Sequence, residues 1–255
     1  MRSKRRKELI MLRRIVVTQD KGGGSKSTLV RALAEFDPKG WVLEIEAHRR
    51  LLELGPRVEH CPVRASYSDI QNTGGKAARA EFDGPIDALF DQSRPKLIFD
   101  LGANAGASFF ATLSDYAAAI RNGGIEIAVV VPVTAHPGAQ ASAATLLAAA
   151  PEFAKRSFVV LNGMDGPVDD TALRAIEPTP MFSHFAKQEL EPEALTLLVG
   201  GGLATVGNLT DLKVQRRLTE KFGHGLGLRI ARDLLRFRAD AMESVRMAAE
   251  WLAQG

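Results

Sequence analysis

The chain has 255 residues, of which 45% are hydrophobic and 25% are charged, as is usual for globular proteins. Its single cysteine, Cys61, excludes a disulfide framework and a cysteine-based metal site, and is compatible with a reducing cytosol. The formal net charge is +3, and the basic residues concentrate at the N-terminus and beyond residue 210, where they either serve polyanions or form solvated surfaces.

The N-terminal stretch MRSKRRKELIMLRR is basic and lacks the apolar segment of a secretory signal peptide. No apolar run reaches the roughly 18 residues of a membrane-spanning helix. We therefore expect a basic tail over residues 1–13, a single domain over residues 14–255, and a cytoplasmic protein.

Short apolar runs alternate with helical patterns along the chain. The predicted strands cover residues 14–18, 41–47, 60–64, 95–102, 125–133, 157–163 and 180–185. The predicted helices cover residues 25–36, 84–92, 106–121, 138–150, 169–176, 210–222 and 227–253. The glycine-rich stretch 198–208 predicts a loop or the edge of a small subdomain. This alternation predicts an α/β fold with a doubly wound, mostly parallel sheet flanked by helices.

The stretch TQDKGGGSKST, between the first strand and the first helix, has the layout of a phosphate-binding loop. Glycines let backbone N–H groups turn inward, and the positive end of the following helix completes an anion site. We expect Lys26 to reach the β- and γ-phosphates, Ser27 to bind Mg²⁺ and Thr28 to face the α-phosphate. The whole predicted cradle is Gly22, Gly23, Gly24, Ser25, Lys26, Ser27 and Thr28. The alternative is a glycine-rich turn that binds nothing.

This loop departs from the common pattern G-x-x-x-x-G-K-[ST], because Ser25 precedes Lys26, but it satisfies K-G-G-x-x-K-[ST]. KGGGSKST after an apolar strand resembles the deviant phosphate loop of the ParA/MinD family of ATPases, in which a glycine is usual at the Ser25 position. The resemblance implies a P-loop NTPase fold, with ATP and Mg²⁺ as cofactors. It also implies an ATP-bound homodimer in which Lys21 contacts the partner's nucleotide.

The strand PKLIFDLG carries Asp100 near its end and leads into a loop of small residues. This arrangement is similar to the Walker B aspartate and the following switch of the same family. A carboxylate beside a phosphate loop can hold Mg²⁺ through a water molecule, and the resemblance places the Gly102 N–H near the γ-phosphate. The alternative is an aspartate that caps the next helix.

Two further stretches match the family in part. Asn162, at the end of VVLNG, stands where the family recognises adenine through an amide, although Asn-Gly is also a common turn. In VLEIEAHRR, Glu46 and His48 overlay two acidic positions, the second of which orients the attacking water. Either Glu46 acts through its longer side chain, or His48 acts as a base near neutral pH. Otherwise ATP binds without hydrolysis and His48 is a surface residue.

The C-terminal segment carries Arg229, Arg232 and Arg236 at spacings that place them on one face of a helix. By resemblance such a face binds DNA nonspecifically, through salt-sensitive phosphate contacts. MinD-like members instead use an amphipathic C-terminal helix on membranes, but the acidic Asp240 and Glu250 disfavour an anionic lipid surface. DNA is therefore favoured over membrane, and a helix packed on the domain is the ordinary alternative.

Three functional hypotheses follow. The first is a ParA/MinD-like switch that dimerises with ATP, hydrolyses it slowly and serves plasmid or chromosome partitioning or plasmid transfer with an unidentified partner protein. The second is a hydrolysis-deficient nucleotide-binding regulator or scaffold that acts through protein partners. The third is an ATP-dependent ligase or small-molecule kinase, which needs a substrate pocket that the sequence does not reveal.

Overall fold

The computed structural model describes residues 11–23, 25–63, 80–207, 209 and 211–254. Several predicted features fall outside the described residues: Gly24 of the cradle, Arg64 of the third strand, Asn208 of the glycine-rich stretch, Thr210 at the start of a helix, and residues 1–10 of the basic tail.

Seven strands form one sheet, and each of the six neighbouring pairs is parallel. The strands are β1 (Leu12–Val17), β2 (Trp41–Ile45), β3 (Val58–Cys61), β4 (Lys96–Leu101), β5 (Ile125–Val133), β6 (Arg156–Asn162) and β7 (Met181–Phe185). Their order across the sheet is β3-β2-β4-β1-β5-β6-β7. The structure thus confirms the predicted doubly wound α/β fold, with a P-loop NTPase arrangement in which the glycine loop follows a central strand.

Helices cover both faces of the sheet. They are α1 (Lys26–Phe36), α2 (Asp83–Phe90), α3 (Gly106–Asp115), α4 (Ala117–Asn122), α5 (Pro137–Ala149), α6 (Thr171–Arg174), α7 (Pro192–Gly207), α8 (Leu212–Phe222) and α9 (His224–Ala253). One hydrophobic core lies between the sheet and α2 to α6, and a second lies between the sheet and α1, α7, α8 and α9. None of the helices in the described part of the chain is both long and apolar enough to cross a membrane.

Several element predictions differ from the structure in their bounds. The helix predicted over residues 106–121 is two helices, α3 and α4, which meet at Tyr116. Strand β2 ends at Ile45, so Glu46 lies just beyond it. Strand β1 begins at Leu12, two residues before the predicted start.

The glycine-rich stretch predicted as a loop instead forms much of α7, which is broken at Gly202. This residue has a φ of 55°, and a Cβ there would lie 2.7 Å from Arg31 Nε and 2.8 Å from Glu53 Oε1. A larger side chain would therefore collide with the Arg31–Glu53 ion pair, whose atoms are 2.5 Å apart. Glycine permits this close approach, so its occurrence here reflects packing rather than a loop.

Because all strands are parallel, their carboxyl ends meet at one edge of the sheet. The loops after β1, β2, β4 and β6 at this edge carry Lys21, Glu46, Gly102 and the residues that follow Asn162. In open α/β sheets, ligands bind in a crevice at this edge.

Candidate functional site

The glycine loop is anchored at its start by Gln19, which is fully buried. The Gln19 amide nitrogen donates to the carbonyl oxygens of Pro132, at 2.9 Å, and Ala139, at 3.1 Å. Its amide oxygen accepts from the backbone N–H of Lys21 at 3.3 Å. The loop is thus fixed to β5 and α5. The only sequence signal for this anchor is a polar residue soon after an apolar strand.

Lys26 is the first residue of α1, and its side chain folds back into the loop. Its Nζ donates to the backbone oxygen of Gln19 at 2.9 Å, and the residue is buried. Burial lowers the pKa of the ammonium, whereas the nearby Asp100 carboxylate acts in the opposite direction. The cation therefore lies on the inner side of the loop, where it can contact an anion that the loop cradles.

Ser25 adopts a left-handed backbone conformation, with φ 65° and ψ 21°. This conformation costs roughly 1–2 kcal/mol for a residue with a Cβ, which explains why glycine is usual at this position. The Ser25 hydroxyl accepts a hydrogen bond from the Asn162 amide nitrogen at 3.0 Å. The serine thus adds a link to β6 at the expense of backbone strain.

The strain at Ser25 predicts an order of stability between two variants. Ser25→Gly is expected to be more stable than Ser25→Ala by about 1 kcal/mol, because both lose the hydroxyl but only glycine relieves the left-handed backbone. Urea unfolding of both variants, without nucleotide, measures the difference. Equal stability would show that Ser25 is not left-handed in solution.

Ser27 and Asp100 lie together at the head of α1. The Ser27 hydroxyl donates to Asp100 Oδ2 at 3.2 Å. Burial raises the pKa of Asp100 to about 7, although the Ser27 hydrogen bond and Lys26 both act to lower it. A hydroxyl and a carboxylate are oxygen ligands of the kind that Mg²⁺ prefers. The pair therefore fits the metal ion that accompanies a nucleotide.

Among the described residues, the protein provides few metal ligands of its own. Over the described ranges, no group of three or more His, Cys, Asp or Glu side chains is arranged to hold a metal ion. Mg²⁺ usually keeps several waters and takes further oxygen ligands from substrate phosphates. A Mg²⁺ ion at Ser27 and Asp100 would therefore depend on the nucleotide for its remaining ligands.

Glu44 is a second buried carboxylate at the site, and the sequence analysis did not identify it. It lies on β2 in register with Asp100 on β4, and it is 1% exposed. Its Oε1 accepts from the backbone N–H groups of Arg50, at 2.6 Å, and Leu51, at 3.2 Å, while Oε2 has no partner among the described residues. Glu44 also contributes to the raised pKa of Asp100. An acidic residue inside the apolar run VLEI was the available signal.

Glu46 lies against the loop that follows β4, whereas His48 is exposed. A Cβ on Gly102 would lie 3.0 Å from the carboxyl carbon of Glu46, whose Oε1 is 3.5 Å from the Arg50 guanidinium. The Gly102 N–H donates to the Ile45 carbonyl at 2.8 Å, so its predicted phosphate contact requires this bond to open. His48 is exposed, and no hydrogen bond or ion pair within the described residues joins it to the site.

The glycine loop is bonded directly to the loop after β4. Asp20 Oδ1 accepts from the Gly106 N–H at 2.8 Å, and the Asp20 carbonyl accepts from the Asn104 N–H at 3.2 Å. A Cβ on Gly106 would lie 2.5 Å from Thr18 Oγ1, so this close approach needs a glycine. Because Gly106 starts α3, the Asp20 carboxylate also meets the positive end of that helix. These two hydrogen bonds therefore hold the two loops together.

Asn162 already uses both ends of its amide within the protein. Its nitrogen donates to Ser25 Oγ at 3.0 Å, and its oxygen accepts from the Met164 N–H at 3.0 Å. The latter bond caps the short 3₁₀ helix Gly163–Asp165. The predicted contact of Asn162 with adenine would compete with these bonds, and it stays a prediction.

A cavity of about 410 Å³ opens beside Ser25 and Thr28. Its other walls come from Arg31 of α1, the 3₁₀ helix after β6, the end of β7 with the loop after it, α7 and α9. They include the apolar side chains of Met164, Phe185 and Phe237. Pockets for small molecules usually measure about 300–1,000 Å³ and are mostly apolar. The cavity therefore has the size and lining to receive a nucleoside whose phosphates lie in the glycine loop.

Lys21 lies on the outer side of the loop. Lys21, Gly22 and Gly23 are exposed, whereas Lys26 is buried. Lys21 is therefore accessible to a second molecule.

The three arginines predicted to bind DNA lie on α9 and are exposed. Arg229 pairs with Glu191 at 2.6 Å, and Arg232 pairs with Asp233 at 2.9 Å. Arg236 is in no ion pair with another described residue. Two of the three charges are thus partly neutralised within the protein, and their DNA contact stays a prediction.

No family model and no curated protein matches the chain. Solved structures similar to it include a variant of McdA from Cyanothece in complex with ATP, with 14% identity and a TM-score of 0.46, covering 90% of this chain and 97% of that chain. Another is the signal recognition particle 54 kDa protein from Aeropyrum pernix in complex with GDP, with 14% identity and a TM-score of 0.36, covering 96% of this chain and 76% of that chain.

Proposed function

We propose that the chain binds ATP with Mg²⁺ and acts as an ATP-dependent dimerisation switch with slow hydrolysis. The observation that supports this most directly is the convergence of Lys26, Ser27 and Asp100 where the glycine loop enters α1. An inward ammonium, a hydroxyl and a carboxylate at a helix N-terminus suit a polyphosphate and its metal ion. Mg²⁺, when bound, neutralises negative charge on the phosphates.

Each part of the proposed site has a separate task. The loop N–H groups and Lys26 would hold the β- and γ-phosphates, and Ser27 and Asp100 would hold Mg²⁺. The 410 Å³ cavity beyond Thr28 receives the ribose and the base. Phosphoryl transfer requires chiefly positioning and charge stabilisation, and all of these groups provide one or the other.

Lys26→Met is expected to weaken ATP binding about a hundredfold, because hydrogen bonds to charged groups contribute roughly 1.5–3 kcal/mol each. Isothermal titration calorimetry with Mg-ATP measures the affinity. Lys39→Met is the matched control, since Lys39 is an exposed lysine in the turn after α1. Unchanged affinity in Lys26→Met would contradict the assignment of the loop.

Dimerisation enters the proposal through Lys21. An exposed lysine beside the phosphates can be delivered to the nucleotide of a partner subunit, so that hydrolysis follows dimerisation. The hydrogen bonds that the Asn104 and Gly106 N–H groups donate to Asp20 then couple the state of the phosphate loop to the loop after β4. ATP would hold the dimer and its hydrolysis would release it, which is an order of events suited to a switch.

A hydrolysis-deficient regulator is the second candidate, and a specific observation favours it. His48 is exposed, and Glu46 is paired with Arg50 at 3.5 Å. His48 therefore does not lie beside the loop, and Glu46 is not an unpaired carboxylate there. Neither side chain is in a position to act as the base for the attacking water. ATP binding and dimerisation without turnover, with or without DNA, would favour this candidate over the first.

We propose nonspecific DNA as the surface on which the switch acts, in plasmid or chromosome partitioning with a partner protein. The best support is on α8, where Lys213, Arg216, Arg217 and Lys221 are all exposed. No ion pair within the described residues includes any of the four. Lys213, Arg217 and Lys221 are four residues apart, so they form a basic stripe along one helix face.

Replacing Lys213, Arg217 and Lys221 by alanine is expected to reduce the salt dependence of DNA binding. The slope of log affinity against log salt concentration should fall by about 3, because each phosphate contact contributes about 0.9. Fluorescence anisotropy with a random-sequence duplex measures it. The matched control replaces Arg229, Arg232 and Arg236. If the slope falls more in that control than in the α8 variant, α9 rather than α8 would be the main DNA-binding surface.

A further inference from the structure

Arg50, in the loop after β2, combines an anchored backbone with an exposed side chain. Its N–H donates to Glu44 Oε1 at 2.6 Å, and its carbonyl accepts from Arg31 Nη2 at 2.9 Å. Glu44 is 1% exposed, so the anchor of the N–H lies in the interior of the domain. The Arg50 side chain, in contrast, is 59% exposed. The fold therefore fixes where Arg50 stands while its guanidinium keeps room to move.

Glu46 holds this guanidinium near the proposed phosphate site. The two side chains form an ion pair of 3.5 Å, and a Cβ on Gly102 would lie 3.0 Å from the Glu46 carboxyl carbon. Burial and the Asp100 carboxylate have the largest effects on the pKa of Lys26, but Glu46 and Arg50 act on it too. Glu46 raises this pKa and Arg50 lowers it. Both charges are therefore felt at the ammonium that is proposed to hold the phosphates.

The order of the strands places a terminal phosphate towards the loop after β2. The cavity proposed for the nucleoside lies at the ends of β6 and β7, the glycine loop follows β1, and β2 lies beyond β4 on the other side. A nucleotide whose base fills the cavity extends its phosphates across the end of β1 towards β4 and β2. The last phosphate of the chain is then the one nearest to Arg50.

The ion pair between Arg50 and Glu46 is one that a phosphate can replace. Its 3.5 Å separation exceeds the about 2.7–2.9 Å of a charge-assisted hydrogen bond. Ion pairs of exposed side chains contribute little to stability, so little is lost when this one opens. A terminal phosphate carries more than one negative charge near neutral pH, and its oxygens suit the two-pronged guanidinium. The phosphate is therefore the stronger partner.

We propose that Arg50 contacts the γ-phosphate of ATP in its own subunit, leaving Glu46 when ATP binds, so that the loop after β2 distinguishes ATP from ADP. The inference rests on the proposed function, since it assumes that the glycine loop binds the phosphates. ADP has no γ-phosphate, so Arg50 stays with Glu46 when ADP is bound. A switch that responds to ATP needs a group that detects the last phosphate, and Arg50 fills this role.

Arg50→Met removes the charge and keeps a long side chain. It should bind the non-hydrolysable β,γ-imido analogue of ATP about tenfold more weakly than wild type, as the loss of one charged hydrogen bond allows, while its ADP affinity stays the same. Calorimetry with Mg²⁺ measures both affinities. Arg50→Lys keeps a cation and should recover part of the loss. Arg49→Met is the matched control, because Arg49 is the exposed neighbour in the same loop, and it should keep both affinities.

Glu46→Gln tests the exchange of partners. A neutral amide no longer competes for the guanidinium, so this variant should bind the analogue more tightly relative to ADP. The gain should be smaller when Arg50→Met is also present, because no guanidinium is left to be released. This coupling between two residues in contact is the decisive quantity. A general loss of structure would weaken both nucleotides and could not produce a gain for one of them.

Two results would overturn the inference while leaving the proposed function intact. One is an Arg50→Met protein that keeps the wild-type ratio of the two affinities, whether both are unchanged or both fall together. The other is a Glu46→Gln effect that is the same with and without Arg50. Failure of wild type to bind either nucleotide would instead overturn the proposed function, and the inference would fall with it.

Discussion

Replacing Lys21 with alanine is expected to lower the rate of ATP hydrolysis about a thousandfold while changing ATP affinity by less than about threefold. Lys21 is exposed, whereas Lys26 is buried and Ser27 is bonded to Asp100 in the same subunit. A cation delivered by a partner to the transferred phosphoryl group contributes roughly 10³–10⁵ in rate. Phosphate release at saturating Mg-ATP measures the rate, and calorimetry measures the affinity.

The control for this experiment is Lys39→Ala, which removes an exposed lysine in the turn after α1 and should turn over ATP at the wild-type rate. Dilution of wild type provides a second check, because a cation that acts across subunits makes the specific rate fall at low protein concentration. Wild-type turnover in Lys21→Ala, or a specific rate independent of concentration, would contradict delivery of Lys21 by a partner.

Asp100 is expected to make the stability of the nucleotide-free, Mg²⁺-free protein depend strongly on pH. Burial raises its pKa from 3.8 to about 7, so the folded state favours the protonated carboxyl. The contribution of protonated Asp100 to the stability of the folded state is fully present below about pH 4. It is lost as the pH rises through about 7. A rise of about 3 in the pKa corresponds to roughly 4 kcal/mol in the free energy of unfolding.

Asp100→Asn should remove most of this dependence, because an amide does not titrate. Urea unfolding at pH 5 and pH 8 measures it, and the variant should exceed wild type in stability at pH 8. Asp87→Asn, an exposed aspartate on α2, should keep the wild-type dependence. The affinity of the same Asp100→Asn variant for ATP should change little when Mg²⁺ is added. An unaltered pH dependence in Asp100→Asn would mean that Asp100 is not buried as described.

The parts of the site that follow from local sequence were predictable. Lys26 and Ser27 sit at fixed places in a strand, loop and helix, and Asp100 lies near the end of an apolar strand, so a linear pattern identifies all three. Alternating strands and helices likewise predicted the parallel sheet. In each case the physical cause lies within a few residues of the feature. It is either a backbone turn or the regular spacing of apolar residues along a strand or helix.

Other features depend on neighbours that are distant in sequence. Gln19 acts through carbonyls more than 110 positions away. Glu44 is significant because β2 lies beside β4, which no local pattern reveals. The glycines of α7 were interpreted as a loop because the Arg31–Glu53 pair that requires Gly202 is remote from it in sequence.

The most direct test of an ATP-timed switch is sedimentation velocity of wild type with no nucleotide, with Mg-ATP and with Mg-ADP, while phosphate release is followed in the same samples. The proposed function predicts a dimer with Mg-ATP, a monomer with Mg-ADP or no nucleotide, and return to the monomer as ATP is consumed. A sedimentation coefficient that is the same in all three conditions would contradict it.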